Sequence, residues 1–331
     1  MFAICIAILA GLAAFFLVGW LQHRANAATC IKVSAPADVQ ARLNAAGPGK
    51  TICFSGTFTT RTGEFKPLAG QTLQGGTFRY TGSYNVTRDR AAAGKLADGF
   101  YLHATSNVTL SGMTIENFEG RGVVCGPGSR ILDSTLTGNR QNAIGCIAHN
   151  ANWHILIRGN TMTNNGARVL EYQSSGAVKL MELSKPGQSL GSGATVLGNI
   201  ASHNIGNGIW LDRSSSATII GDNTTNDNTH KGIRCEKCGG PMLIENNTAL
   251  RNDHENISVV NSALVTLKHN TTSGSGQVGL RIDWSKVATK TYPNVGDQSL
   301  GYKVRSIVVR DRGLYHDGIN GCELKGVSCS A

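Results

Sequence analysis

The sequence predicts an all-β fold, a right-handed parallel β-helix, and three observations carry that reading. A short strand pattern recurs at a near-constant spacing, a second apolar strand follows most copies, and an asparagine closes those second strands at one register. Units that can bury an apolar face only against their neighbours stack into a solenoid. Composition agrees with short strands and many turns: of 331 residues 40% are hydrophobic, only 16% are charged, and 41 are Gly. A helical chain would instead be dominated by Lys, Glu, Leu and Ala.

The opening strands begin at Gly99, Gly122, Ala143, Ala177, Gly208, Gly232, Asn256 and Gly279, with steps of 23, 21, 34, 31, 24, 24 and 23 residues. Each reads small–apolar–x–apolar–x, as in Gly208-Ile-Trp-Leu-Asp212. The two longer steps mark insertions, placed at 165–175 and 181–195. The second strands run Ile155 to Asn160, Ala217 to Asn223, Met242 to Asn247 and Val265 to Asn270, with Asn199 in the same column. Asparagine suits such a corner because its amide can bond the next coil and its backbone tolerates a left-handed turn.

The ends need covering. Pro36 to Ala46 reads as an amphipathic helix with Val39 and Leu43 on one face and Gly47-Pro48-Gly49 as its stop. The expected division is an N-terminal cap over 28–60, coils over 61–283 and a C-terminal cap over 284–331 containing one strand, Ser306 to Arg310. Residues 1–27 are mostly apolar and end in Ala25-Asn26-Ala27, the form of a signal peptidase site. They read as a cleaved signal peptide or a retained single-span anchor, and either exports the rest. Cleavage leaves eight of the nine cysteines, which suggests disulfides in an oxidising compartment. The candidates are Cys30 with Cys53, Cys235 with Cys238, and Cys322 with Cys329; Cys125 and Cys146 stack one coil apart as a disulfide or as two buried thiols.

Strand alternation sorts side chains into and out of the coil. Two outward columns result: Tyr101, Val124, Gly145, Lys179, Trp210, Arg234, Ser258 and Arg281, then His103, Gly126, Ile147, Met181, Asp212, Glu236, Val260 and Asp283. They gather cations, carboxylates and an outward Trp on one patch bordered by both insertions. His203, His230 and His254 precede strand starts nearby, where a His suits acid–base work. Asp212, Glu236, Arg234, Lys179 and His203 are the candidate catalytic residues. Trp210, Arg281, Asp283 and His230 are candidates for binding substrate, with Trp210 as a platform for a sugar ring. As a bland alternative the patch is a solvated face whose charges pair across coils, Asp212 with Arg234.

The repeats resemble the parallel β-helix repeat family, which includes pectate-lyase-like enzymes, alginate epimerases and periplasmic copper-site maturation proteins. The resemblance covers residues 30 to 283 and implies a fold rather than a chemistry. Pectate-lyase-like members place a substrate cleft on such a face, so the resemblance implies an exported carbohydrate-active protein working on an acidic polysaccharide. The net charge of +10 is in keeping with an acidic partner. β-Elimination would use Ca²⁺ held by Asp212 and Glu236, and glycosidic hydrolysis would use the same two carboxyls as a pair. The Asp-Pro-His-Asp motif of alginate epimerases is absent, which lowers epimerisation. A non-catalytic polysaccharide-binding protein is the alternative. The expected protein is a monomer that meets a membrane only through an uncleaved N-terminal segment. Scattered basic residues without a binding motif argue against nucleic acid.

Overall fold

The computed structural model describes residues 30–83, 96–151, 153–166, 175–183, 192–214, 217–239, 241–260, 262, 264–277, 279–283 and 308–310. The N-terminal segment, Cys322, Cys329 and most of both insertions lie outside the described residues.

The chain winds as a parallel solenoid with three sheets. An 11-stranded sheet runs from Ile31–Ser34 to Val308–Arg310, and an 8-stranded sheet from Phe100–Tyr101 to Leu280–Asp283. A 6-stranded sheet runs from Thr57–Thr60 to Ile200–Ser202 and continues through bridges at Thr224 to a last pair, Thr248–Leu250 with Thr271–Ser273. This third sheet is absent from the two-strand repeat read in the sequence. Its strands are mostly three residues long, such as Thr135–Thr137 and Thr161–Thr163, and each buries one residue, Leu136 or Met162. One apolar position shows no alternation, so the strand is invisible to a period-2 search.

Parallel pairing already links Ile31–Ser34 to Thr51–Ser55 and Thr57–Thr60 to Thr77–Tyr80, so the coil register runs through the segment expected to be cap. At the far end, Val308–Arg310 pairs in parallel with Val265–Lys268. The helix spans Val39–Ala46 rather than starting at Pro36, because the Asp38 carboxylate accepts from the Ala41 amide and caps it there. Val39 and Leu43 are buried beneath it. The buried Gln71 amide donates to Leu43 O and Gly47 O, tying this lid to the coil below.

The core is a stack of inward side chains. Phe78 lies within 5.6 Å, centroid to centroid, of Phe54, Phe58, Phe65 and Phe100. Two asparagine ladders run along the corners. Asn160, Asn199, Asn223, Asn247 and Asn270 form the one read in the sequence, and Asn139, Asn165, Asn204, Asn228 and Asn252 form a second. The left-handed residue is the one before each asparagine, for instance Asp222 at φ 55° and Asp227 at φ 56°. The asparagine itself turns inward to bond the adjoining coil. Disulfides join Cys30 to Cys53, Cys125 to Cys146 and Cys235 to Cys238, with Cα separations of 5.8, 4.8 and 5.9 Å.

Candidate functional site

The 8-stranded sheet builds the first outward column whole and the second from Ile147 onward in the register the repeat implies, while His103 and Gly126 lie beyond the ends of the strands Phe100–Tyr101 and Val123–Val124. Tyr101, Val124, Gly145, Lys179, Trp210, Arg234, Ser258 and Arg281 pair in succession. Ile147, Met181, Asp212, Glu236, Val260 and Asp283 form the second line. Between them Ile209, Leu211, Ile233 and Cys235 point inward and are fully buried. Asp283 is placed by its backbone register alone.

Lys179 sits at the centre. Its Nζ lies 3.8 Å from the Trp210 ring centroid and 3.8 Å from Asp212 Oδ2. Burial pushes this lysine down to about 8, against the pull of Asp212 and helped by Arg213 and Arg234. Trp210 is only 7% exposed. Lys179 approaches its ring from the preceding coil and the Arg234 guanidinium, 4.7 Å from the centroid, from the following one. The expected exposed platform is therefore filled: in this arrangement the indole stacks on cations, not on a sugar.

The ion pairs also differ from the expected Asp212–Arg234 contact. Asp212 faces Lys179 and Arg213, whose Nε is 3.6 Å from Oδ1, while Arg234 folds along its own strand to Glu236 at 2.8 Å. Arg213 reaches on to Glu182 Oε1 at 3.3 Å, and Glu182 Oε2 lies 3.4 Å from Nδ1 of His149. Glu182, within the strand Gly176–Leu183, and Arg213 and Lys237, each just beyond a strand end, all hold positive φ and form a third column at that corner. The sequence reading omitted these residues. Their signal was available: each directly follows a member of the second column, Met181, Asp212 and Glu236. His103 adds an aromatic group at the N-terminal side, 5.3 Å from Trp153 and 5.7 Å from His149.

At the other end, Glu255 is fully buried and holds Lys231 at 2.8 Å and Arg281 at 3.0 Å. His230 and His254 sit on adjacent coils with ring centroids 4.3 Å apart and planes tilted by 55°. His230 is buried and its Nδ1–H donates to Asn207 Oδ1 at 2.8 Å. Burial first, then Lys231 and His254, lowers it to about 3, so it is a neutral structural donor near neutrality. His203 does not join this group. It occupies the left-handed corner after Ile200–Ser202 at φ 57°, exposed, in line with Asn164 and Asp227. Its catalytic assignment is therefore withdrawn: proximity in sequence to the Trp210 strand does not put it on that sheet.

Two carboxylates on adjacent coils suggested a Ca²⁺ site, but the donor set fits one poorly. Asp212 and Glu236 each already face a cation. Among the described residues no group of three or more His, Cys, Asp and Glu could hold a metal ion.

Winding, ladders and register define a right-handed β-helix solenoid carrying one polar, charge-dense face. Residues 98–294, more than half of the chain, match the family described as right handed beta helix region, and the chain belongs to that family. Among solved structures it is similar to the Azotobacter vinelandii mannuronan C-5 epimerase AlgE4 A-module, at 11% identity over 86% of this chain and 95% of that one, TM-score 0.43. It is also similar to the periplasmic alginate epimerase AlgG, at 14% identity over 88% and 81%, TM-score 0.48. A third is the catalytic domain of GH87 alpha-1,3-glucanase in complex with nigerose, at 10% identity over 86% and 69%, TM-score 0.39. No curated protein matches the chain in sequence.

Proposed function

We propose that the face from Lys179 to Arg281 takes an acidic polysaccharide, and that Lys179 abstracts the proton beside a uronate carboxylate to begin β-elimination. The observation that carries this reading is the setting of Lys179, packed on Trp210 and held near 8. A general base works best when its pKa lies close to the working pH. The lysine Nζ takes the C5 proton, the C5–H electron pair becomes the C4–C5 double bond, and the bond to the glycosidic oxygen breaks. The lysine ammonium then returns a proton to that leaving oxygen. Arg213 and Arg234 flank the site, where a guanidinium offsets the charge that gathers on the substrate carboxylate as the proton leaves. Only side chains of the chain itself are used.

Hydrolysis is the weaker reading. A carboxyl pair needs one member free of cations to serve as acid, and Asp212 and Glu236 are both ion-paired. Three disulfides support an oxidising, extracytoplasmic location.

The test is incubation with polygalacturonate, alginate and neutral glycans, with added Ca²⁺ or chelator. Ultraviolet absorbance from an unsaturated uronide, lost in Lys179→Ala, supports elimination. New reducing ends without that absorbance move the assignment to hydrolysis. Retention on an acidic polymer without product makes the protein a binding module, and neither result on any polymer overturns the carbohydrate reading.

A further inference from the structure

Three buried polar atoms of the first column have no hydrogen-bond partner: Trp210 Nε1, Arg234 Nε and Ser258 Oγ. They belong to consecutive coils, since Trp210 pairs with Arg234 and Arg234 with Ser258. Ser258 alternates with the inward Ile257 and Val259, so its hydroxyl points out of the coil, yet the residue is 0% exposed. Folded proteins leave few such groups, because each gives up water without a replacement. Every ladder asparagine in these same coils is bonded. Other unpaired buried atoms are scattered, among them Thr225 Oγ1 and Thr272 Oγ1 on the third sheet, whereas on this face three align on consecutive coils.

All three can donate, and their surroundings are cationic. Arg234 spends its Nη2 on Glu236 and leaves Nε over. Next to Ser258 in the column stands Arg281, whose Nη1 binds Glu255. Glu255 shows what this environment accepts: a buried carboxylate clasped by a lysine and an arginine. The missing partner must bring acceptors, carry negative charge and present two oxygens across adjacent coils about 4.8 Å apart.

We infer that Trp210, Arg234 and Ser258 form a subsite for a sugar-borne carboxylate, with Ser258 the residue that distinguishes uronate from neutral units. This rests on the acidic-polysaccharide reading but not on turnover. Calorimetric titration with oligouronates and with neutral oligosaccharides of equal length tests it, using wild type, Ser258→Ala and Trp210→Phe. Ser258→Ala removes one unpaired donor and leaves the packing in place, while Trp210→Phe removes another and also trims the ring held between Lys179 and Arg234. The expected result is roughly tenfold weaker oligouronate binding in each variant, unchanged response to neutral sugars, and, for Ser258→Ala, a thermal unfolding midpoint equal to or above wild type. Wild-type binding with undiminished affinity in Ser258→Ala overturns the subsite while sparing the broader reading. A lowered midpoint with unchanged affinity assigns the hydroxyl a structural role and also overturns it. No oligouronate binding by wild type overturns both. Equal, Ser258-dependent binding of sulfated oligosaccharides replaces the carboxylate with any oxyanion.

Discussion

The asparagine corners and the Lys179–Arg281 face are made by the same coils, yet they treat buried polar atoms in opposite ways. At the corner, Asn223 Oδ1 accepts from the Asn199 backbone and side-chain amides, and its Nδ2 donates to Val196 O and Asn247 Oδ1. On the face, Ser258 is as deeply buried and Trp210 nearly so, and both carry unpaired atoms. Complete satisfaction marks the part of a coil that holds the solenoid together. A run of unsatisfied atoms on three consecutive coils, unlike the scattered ones elsewhere such as Thr225 Oγ1 and Thr272 Oγ1, marks a part arranged for something besides folding.

The largest expected effect sharpens the functional side. Lys179→Ala should lower turnover on a uronate polymer about 10²- to 10⁴-fold with little change in unfolding midpoint. In wild type, activity should rise with pH through about 8, because the free amine is the base. Lys179→Arg should abolish that rise, and a pH–rate profile decides it.

The structural side breaks next. Asn223→Ala removes four side-chain bonds, leaving the Asn199 amides on the preceding coil without their acceptor and the acceptors Val196 O and Asn247 Oδ1 each one donor short, which should cost about 2–5 kcal/mol in chemical denaturation. A cost no larger than that of Ser258→Ala would erase the contrast between corner and face. Replacing Cys125 and Cys146 together by Ala should cost about 2–4 kcal/mol, since their bond closes a 21-residue loop in the unfolded chain.

A smaller effect concerns His230, which belongs to the satisfied class although it borders the face. It titrates at about 3 when folded and near 6.5 when unfolded. Between those values the unfolded chain takes up a proton that the folded chain refuses, so stability falls as pH drops through that window. Above 4.5, the ordinary value of Glu255, that carboxyl adds little. His230→Gln retains a donor for Asn207 and should flatten the fall between pH 6.5 and 4.5 in thermal melts. The smallest change is that of Ser258→Ala, expected within about 0.5 kcal/mol of wild type or above it.

By itself the sequence determined the winding, the helical lid, the column of Asn160 to Asn270, the order of the first outward column and that of the second from Ile147 onward. The reason is geometric. Parallel coils of equal length stack in register, so alternation within one strand and the step to the next assign every side chain a face and a neighbour. The third sheet escaped because most of its strands bury a single apolar residue, which makes no pattern. What only the tertiary structure decided is which neighbour each long side chain chose. Asp212 took Lys179 and Arg213 instead of Arg234, Trp210 sank between two cations, and Glu182 and His149 joined through the corner. Register fixes Cα positions, but Lys, Arg and Glu reach several partners from one position. The contest among them is settled by burial and charge, which exist only once the coils are stacked.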